Sequence, residues 1–229
     1  MIPVRRAISW AFHGRVGYTE ATAMQQAAGA ALRRSEASER LILLEHPHVY
    51  TLGRNASESD VLAPVEWLRA TGVEVAETNR GGQVTYHGPG QLVGYPIVNL
   101  DPDRRDIRRY VRDLQETLIR TLGDYGIAAG RREGPENIGV WVGDEKIASI
   151  GVHIARWITS HGFALNVTTD LSYFRGIVAC GLPAVRMASI ESLTGRRLGL
   201  PEVAAAYARR FAEVFDRELV ASEAVTASA

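Results

Sequence analysis

Apolar and polar positions along the 229-residue chain change period several times. Residues 4–12 alternate loosely and predict a first strand. From Thr19 to Ser35 the period becomes helical, with Ala21, Met24, Ala28, Ala31 and Leu32 on one side and Thr19 as the capping residue. Residues 41–45, LILLE, form an apolar run of strand length and predict a strand buried on both faces. The segment HPHVYTLGR begins in a loop, because Pro47 removes a backbone donor. A short helix over 64–71 opens on Pro64, and a strand follows over 73–77. Gln91 to Leu100 reads as a strand. Asp106 caps a long helix running to about Tyr125, whose stripe of Ile107, Val111, Leu114, Leu118 and Leu122 belongs to the core. Ile138 to Val142 and Glu145 to Ile154 predict two strands joined by Gly143-Asp144, and Gly162 to Val167 predicts a third. Residues 171–179 give a short turn of helix or irregular chain, and Pro201 to Leu219 reads as a helix.

Length fits one domain over residues 1–220, large enough to bury a core without staples. The tail over 221–229 is small and polar and is expected to fray. Formal net charge is zero, so neither nucleic acid nor an anionic membrane is expected as the main partner. One cysteine cannot form an internal disulfide, which fits a reducing cytoplasm. The first residues, MIPVRRAISWAF, lack the sustained apolar run of a signal peptide, and no stretch has the roughly 20 apolar residues of a spanning helix.

Chemistry concentrates between residues 146 and 180. Lys146 is the only lysine of the chain and Cys180 its only cysteine. Arginine keeps its proton in proteins, whereas a lysine amine can lose one when desolvated. A thiol and a deprotonatable amine suggest a nucleophile and its base. In a regular strand Lys146 shares a face with Ala148, Ile150, Val152 and Ile154, apolar company that disfavours an ammonium, while Ser149 and Gly151 face the other way. A second concentration lies at Asn79–Leu100, where Gly81-Gly82 and Gly88-Pro89-Gly90 bracket the β-prone segment Gln83 to His87. Arg80 beside it suits a phosphate or a carboxylate. The glycine spacing fits neither a dinucleotide fingerprint nor a Walker A loop. His46 and His48 have no cysteine or carboxylate cluster nearby to complete a tetrahedral set, so no metal site is expected.

Five segments together carry a resemblance: EHPHVYTLGR at 45–54, NRGGQVTYHGPGQLVGYPIVNL at 79–100, IGVWVGDEKIASIGVHI at 138–154, SHGFALNVTTDL at 160–171 and ACGL at 179–182. In that order they resemble the lipoyl(octanoyl) transferases of lipoate biosynthesis. The resemblance implies an α/β fold shared with lipoate and biotin protein ligases, a mixed β-sheet flanked by helices with a smaller second sheet. It implies transfer of an octanoyl group from acyl carrier protein to a lysine of lipoyl domains, such as those of 2-oxoacid dehydrogenase E2 subunits and the glycine cleavage H protein, without a cofactor. Carried over by residue, Cys180 matches the acylated cysteine and Lys146 its companion. The loop Arg80, Gly81, Gly82, Gln83, Val84, Thr85, Tyr86, His87 matches the substrate-binding loop. Ser149, Ile150 and Gly151, with Gly162, Phe163 and Ala164, match two further segments lining the acyl and pantetheine site. Ala179 stands where proline is common, and VRMASI at 185–190 follows the family loosely.

The implied chemistry is a sulfur-to-nitrogen acyl transfer in which Lys146 takes the Cys180 proton and the thiolate attacks the thioester. Val84, Ile150 and Phe163 are candidate walls for the octanoyl tail, while His87 and His161 suit structural roles. Two alternatives stand beside this reading. One is an ATP-dependent lipoate or biotin ligase on the same scaffold; the other is a non-catalytic module that binds acyl carrier protein.

Overall fold

The fold grows outward from the LILLE segment. In the computed structural model, which describes residues 5–101, 103–179 and 185–221, this segment lies in strand β2 (Glu39–Glu45). Successive side chains of a strand point to opposite faces. Leu41 and Leu43 therefore enter one core and Ile42 and Leu44 another, and all four are buried as the apolar run predicts. Strand β2 pairs in parallel with β1 (Arg6–Arg15) and antiparallel with β6 (Gln91–Ile97). Beyond β6 the sheet continues through β9 (Ile158–Asn166), β8 (Glu145–Ala155) and β10 (Arg186–Met187). Beyond β1 it ends on β11 (Arg217–Ala221), and β7 (Gly139–Val142) pairs with β8 off this path.

Helices α3 (Ile107–Gly123) and α5 (Leu200–Phe215) cover the Leu41 face, and α1 (Tyr18–Arg33) covers the Ile42 face. The α3 stripe enters the core through Leu114, Leu118 and Leu122. Its first position, Ile107, is exposed and stands at the mouth of a cavity. Asp106 caps α3 as its position predicts, its side chain accepting from the Arg109 amide. A smaller sheet orders β4 (Glu74–Glu77), β3 (Val49–Leu52) and β5 (Val84–His87) over its own core of Tyr50, Val84, Tyr86 and Phe174. Short helices α2 (Val65–Thr71) and α4 (Ile190–Thr194) complete the elements used below. The mixed sheet, its helices and the second sheet match the expected α/β class. No helix among the described residues is long and apolar enough to cross a membrane.

Three sequence expectations fail locally. Helix α1 starts at Tyr18 with Gly17 as its N-cap and no side-chain capping bond, so Thr19 lies inside the first turn. Strand β9 begins at Ile158 rather than Gly162. Arg156 and Trp157 both adopt positive φ, 51° and 64°, and turn β8 into β9 through a tight two-residue hairpin that the sequence does not advertise. The last helix stops at Phe215 because Asp216 takes a left-handed conformation, φ 52°. Arg217 to Ala221 then pair with Arg6 to Trp10, drawn in by the buried Glu39. Ala221, the first residue of the tail expected to fray over 221–229, is thus paired with Trp10, and residues 222–229 lie outside the described residues.

Candidate active site

A cavity of about 520 Å³ lies between β5, the open side of β8 and β9, and the start of α3. Its floor is made by close backbone approach. Arg54 and Asn55 amides donate to the carbonyls of Arg80 and Gly82, and the Gly81 amide donates to the Val152 carbonyl at 2.9 Å. The loop is thus sandwiched between Gly53 and Gly151. A Cβ on Gly53 would overlap the Gly82 carbonyl, and one on Gly151 would stand 2.8 Å from the Gly81 oxygen. The Arg80 guanidinium ties the loop to β3, Nη2 donating to the Thr51 carbonyl at 2.6 Å and to its Oγ1 at 2.9 Å.

Lys146 enters the cavity wall by way of a β-bulge. Between β7 and β8, Val140 faces Ala148 but Trp141 faces Lys146, so β8 carries one extra residue at Ile147. Residues directly opposite in an antiparallel pair share a face. Val140, Ile147 and Ala148 all enter the main core, and Lys146 is turned to the other side with Ser149. This corrects the regular-strand expectation, in which Lys146 shares a face with Ala148 and Ser149 faces away. Lys146 is 1% exposed, and its Nζ lies over the Trp141 ring, 5.4 Å from the centroid.

A hydrogen-bonded chain links the loop to this strand. Thr51 Oγ1 accepts from Arg80 and meets His87 Nε2 at 3.4 Å. His87 Nδ1 donates to Gln91 Oε1 at 2.8 Å, and Gln91 Nε2 donates to Asn166 Oδ1 at 2.9 Å. Asn166 Nδ2 donates to the Ala188 carbonyl, and the Ala188 amide donates to the Lys146 carbonyl, both at 2.9 Å. Burial, with His46 and Arg80 adding to it, holds the His87 imidazole well below the usual histidine range. Burial likewise lowers His46 to about 4, and burial with the nearby Arg80 lowers His161 to about 4. These rings work as neutral hydrogen-bonding groups. His46 donates through Nδ1 to the Val16 carbonyl and accepts at Nε2 from Tyr95, each at 2.7 Å, which accounts for it without a metal.

Of the residues singled out in sequence, the cavity gathers Arg80, Gly81, Gly82, Gln83, Val84, Thr85 and His87 on one side. Opposite them stand Lys146, Ser149, Ile150, Gly151, Gly162, Phe163 and Ala164. Tyr86 is not among the cavity walls. Strand alternation points it into the small core, stacked on Tyr173 with centroids 5.0 Å apart and bonded through its hydroxyl to His48 at 2.8 Å. Cys180 lies outside the described residues. The cavity adds Val93, Tyr95 and Ile138, which lie in the quoted segments without an assigned role, and Tyr18, Ile107 and Val111, which lie outside them. Thr85 Oγ1 is buried against the cavity with no hydrogen-bond partner among the described residues.

Residues 17–212 match the lipoyl protein ligase A/B catalytic domain. A protein of Solibacter usitatus named octanoyltransferase is 51% identical over 217 residues, covering 94% of this chain and 96% of its own length. An octanoyltransferase of Geobacter metallireducens is 45% identical over 206 residues, covering 90% and 92%. A solved bi-partite lipoate protein ligase from Thermoplasma acidophilum superposes with a TM-score of 0.72 at 19% identity, over 96% of this chain and 87% of that one. Biotin protein ligase from Aquifex aeolicus does so with a TM-score of 0.52 at 11% identity, over 93% and 70%. The two solved structures share the fold alone. With the catalytic-domain match spanning most of its length, this chain belongs to the lipoyl protein ligase A/B catalytic-domain family.

Proposed function

We propose that this chain is an octanoyltransferase of lipoate biosynthesis, taking an octanoyl group from acyl carrier protein and delivering it to a lysine of lipoyl domains in the cytoplasm. One observation carries the reading: the only lysine of a chain 51% identical to a named octanoyltransferase is buried in the wall of its cavity. Val84, Ile150 and Phe163 give that cavity apolar walls for the octanoyl tail. Thr85 supplies a buried hydroxyl for a polar group of the substrate.

The reaction runs in two halves. The Cys180 thiol gives its proton to Lys146 Nζ, and the thiolate attacks the octanoyl thioester carbonyl. The carbon–sulfur bond to the phosphopantetheine arm breaks, and the departing sulfur takes the proton from Lys146. Octanoyl-Cys180 remains. The neutral amine of the lipoyl-domain lysine then attacks this thioester, Lys146 removes one of its protons, and that proton returns to Cys180 as the amide forms. Arg80 and the glycine loop hold the pocket wall rather than react.

The test is transfer in a defined mixture of octanoyl acyl carrier protein, lipoyl domain and this protein. Octanoylation of the domain lysine without ATP supports the reading. A requirement for ATP and free octanoate would instead establish the ligase alternative.

A further inference from the structure

The β7–β8 bulge leaves Lys146 with an unusual neighbour. Gly139 stands at φ 149°, opposite Ser149 in the β7–β8 ladder. A Cβ there would overlap the Ala148 carbonyl and would lie 2.5 Å from Lys146 Cε and 3.3 Å from Nζ. The space a side chain would fill at residue 139 is the space the lysine stem occupies. Gly139 is itself fixed from behind: Gln115, buried on α3, donates from Nε2 to the Gly139 carbonyl at 2.9 Å. Trp141, two residues on, closes the far side beneath the amine, and its Nε1 donates to the Asn137 carbonyl at 2.9 Å.

We propose that Gly139 and Gln115 are positioning residues for Lys146, forming a slot that sets where its amine stands in the cavity. Neither needs to touch substrate. The main core uses Gln115's neighbours Leu114 and Leu118 for packing, yet Gln115 spends a buried amide on one carbonyl of the strand beside the lysine. Buried amides are retained at a desolvation cost that a simple packing role would not require. The inference rests on the reading of Lys146 as the base. It extends that reading to Gln115, outside the five quoted segments, and to Gly139, which one of them contains without an assigned role.

Because the chain has a single lysine, its side chain can be watched directly. Protein grown with 13C-ε-lysine gives one ε-methylene NMR signal, recorded for wild type, Gly139→Ala and Gln115→Met alongside steady-state octanoyl transfer. Gly139→Ala is expected to move the signal and to lower kcat about 100-fold, the scale of an ångström's misplacement, with KM for the octanoyl donor nearly unchanged. Gln115→Met, which keeps the volume and adds no Cβ at residue 139, is expected to shift both readouts in the same direction by less. It keeps the test open if Gly139→Ala fails to fold. An unmoved lysine signal in folded variants would overturn the positioning role, whatever the activity. A moved signal with wild-type kcat would leave the slot standing and contradict the reading of Lys146 as the base.

Discussion

Gln91 and Asn166 face each other across the seam of β6 and β9, and the Gln91 amide donates to the Asn166 carbonyl oxygen at 2.9 Å. Through them the hydrogen-bonded chain from Arg80 reaches the backbone of Lys146. Both side chains are 1% exposed, so water cannot replace a lost partner. Gln91→Met is expected to leave Asn166 Oδ1, the Tyr86 carbonyl and His87 Nδ1 short of partners. The expected cost is about 3 kcal/mol, read from urea denaturation. A loss under about 0.5 kcal/mol, the level of an ordinary surface change, would show the chain to be incidental.

Stability should fall on mild acidification. His46 and His161 are held at about 4 when folded, against 6.5 when unfolded. Between those values the unfolded chain binds protons that the folded chain does not, so stability falls as pH drops from 6.5 towards 4 and is constant in this respect above 6.5. Each ring contributes about 3 kcal/mol when the span is complete. Asp103 and Asp170 are held below the ordinary carboxylate range and weaken the fold at lower pH still. Denaturation midpoints at pH 7.5 and 5 should differ clearly in the wild type and by less in His161→Gln. An equal pH effect in both proteins would assign the loss to other groups.

Lys146→Met should separate stability from activity. Burying an amine costs desolvation that an apolar side chain of similar length does not pay, and Lys146 is 1% exposed. Loss of a general base lowers rates by about 10²–10⁴-fold. The variant is therefore expected to melt at or above the wild-type temperature while transferring octanoyl groups at least 100-fold more slowly. Wild-type turnover in Lys146→Met or Lys146→Arg would remove lysine from the mechanism.

The C-terminal strand depends on a buried ion pair. Arg217 Nε meets Glu39 Oε2 at 2.6 Å, both side chains almost wholly buried, while Arg6 lies 3.1 Å from Glu39 Oε1. Arg217→Met leaves the Glu39 carboxylate with only Arg6 and the Asn99 amide among its described partners and should cost about 3 kcal/mol. The double variant with Glu39→Gln should recover part of that loss, because the uncompensated charge is gone. Purely additive losses in the thermal melts would contradict the coupling.

The elements with a clean period were legible in the sequence. LILLE announced a strand buried on both faces, and the stripe from Leu114 to Leu122 announced the core face of α3. The five quoted segments identified the family and most of the cavity walls. The bulge at Ile147 was not legible, because it is set by how β7 and β8 pair, and it decides which way Lys146 points. Tyr86 sits in the right loop, but alternation along β5 turns it from the cavity into the small core. Strand β11 was hidden by a helical period that runs on past Asp216. Its pairing depends on Glu39, far away in sequence. Gly139 lies in a quoted segment and Gln115 outside them, but neither had a legible role, since their relation to Lys146 exists only once α3, β7 and β8 are assembled.

The central claim is that the octanoyl group rests on this chain during transfer. Intact-mass measurement of the protein after incubation with octanoyl acyl carrier protein, with no lipoyl domain present, tests it most directly. The account predicts a mass increase of one octanoyl group that is discharged on adding lipoyl domain and is absent in Cys180→Ser. Steady transfer to the lipoyl domain by a protein that never carries the adduct, or an undiminished rate in Cys180→Ser, would contradict it.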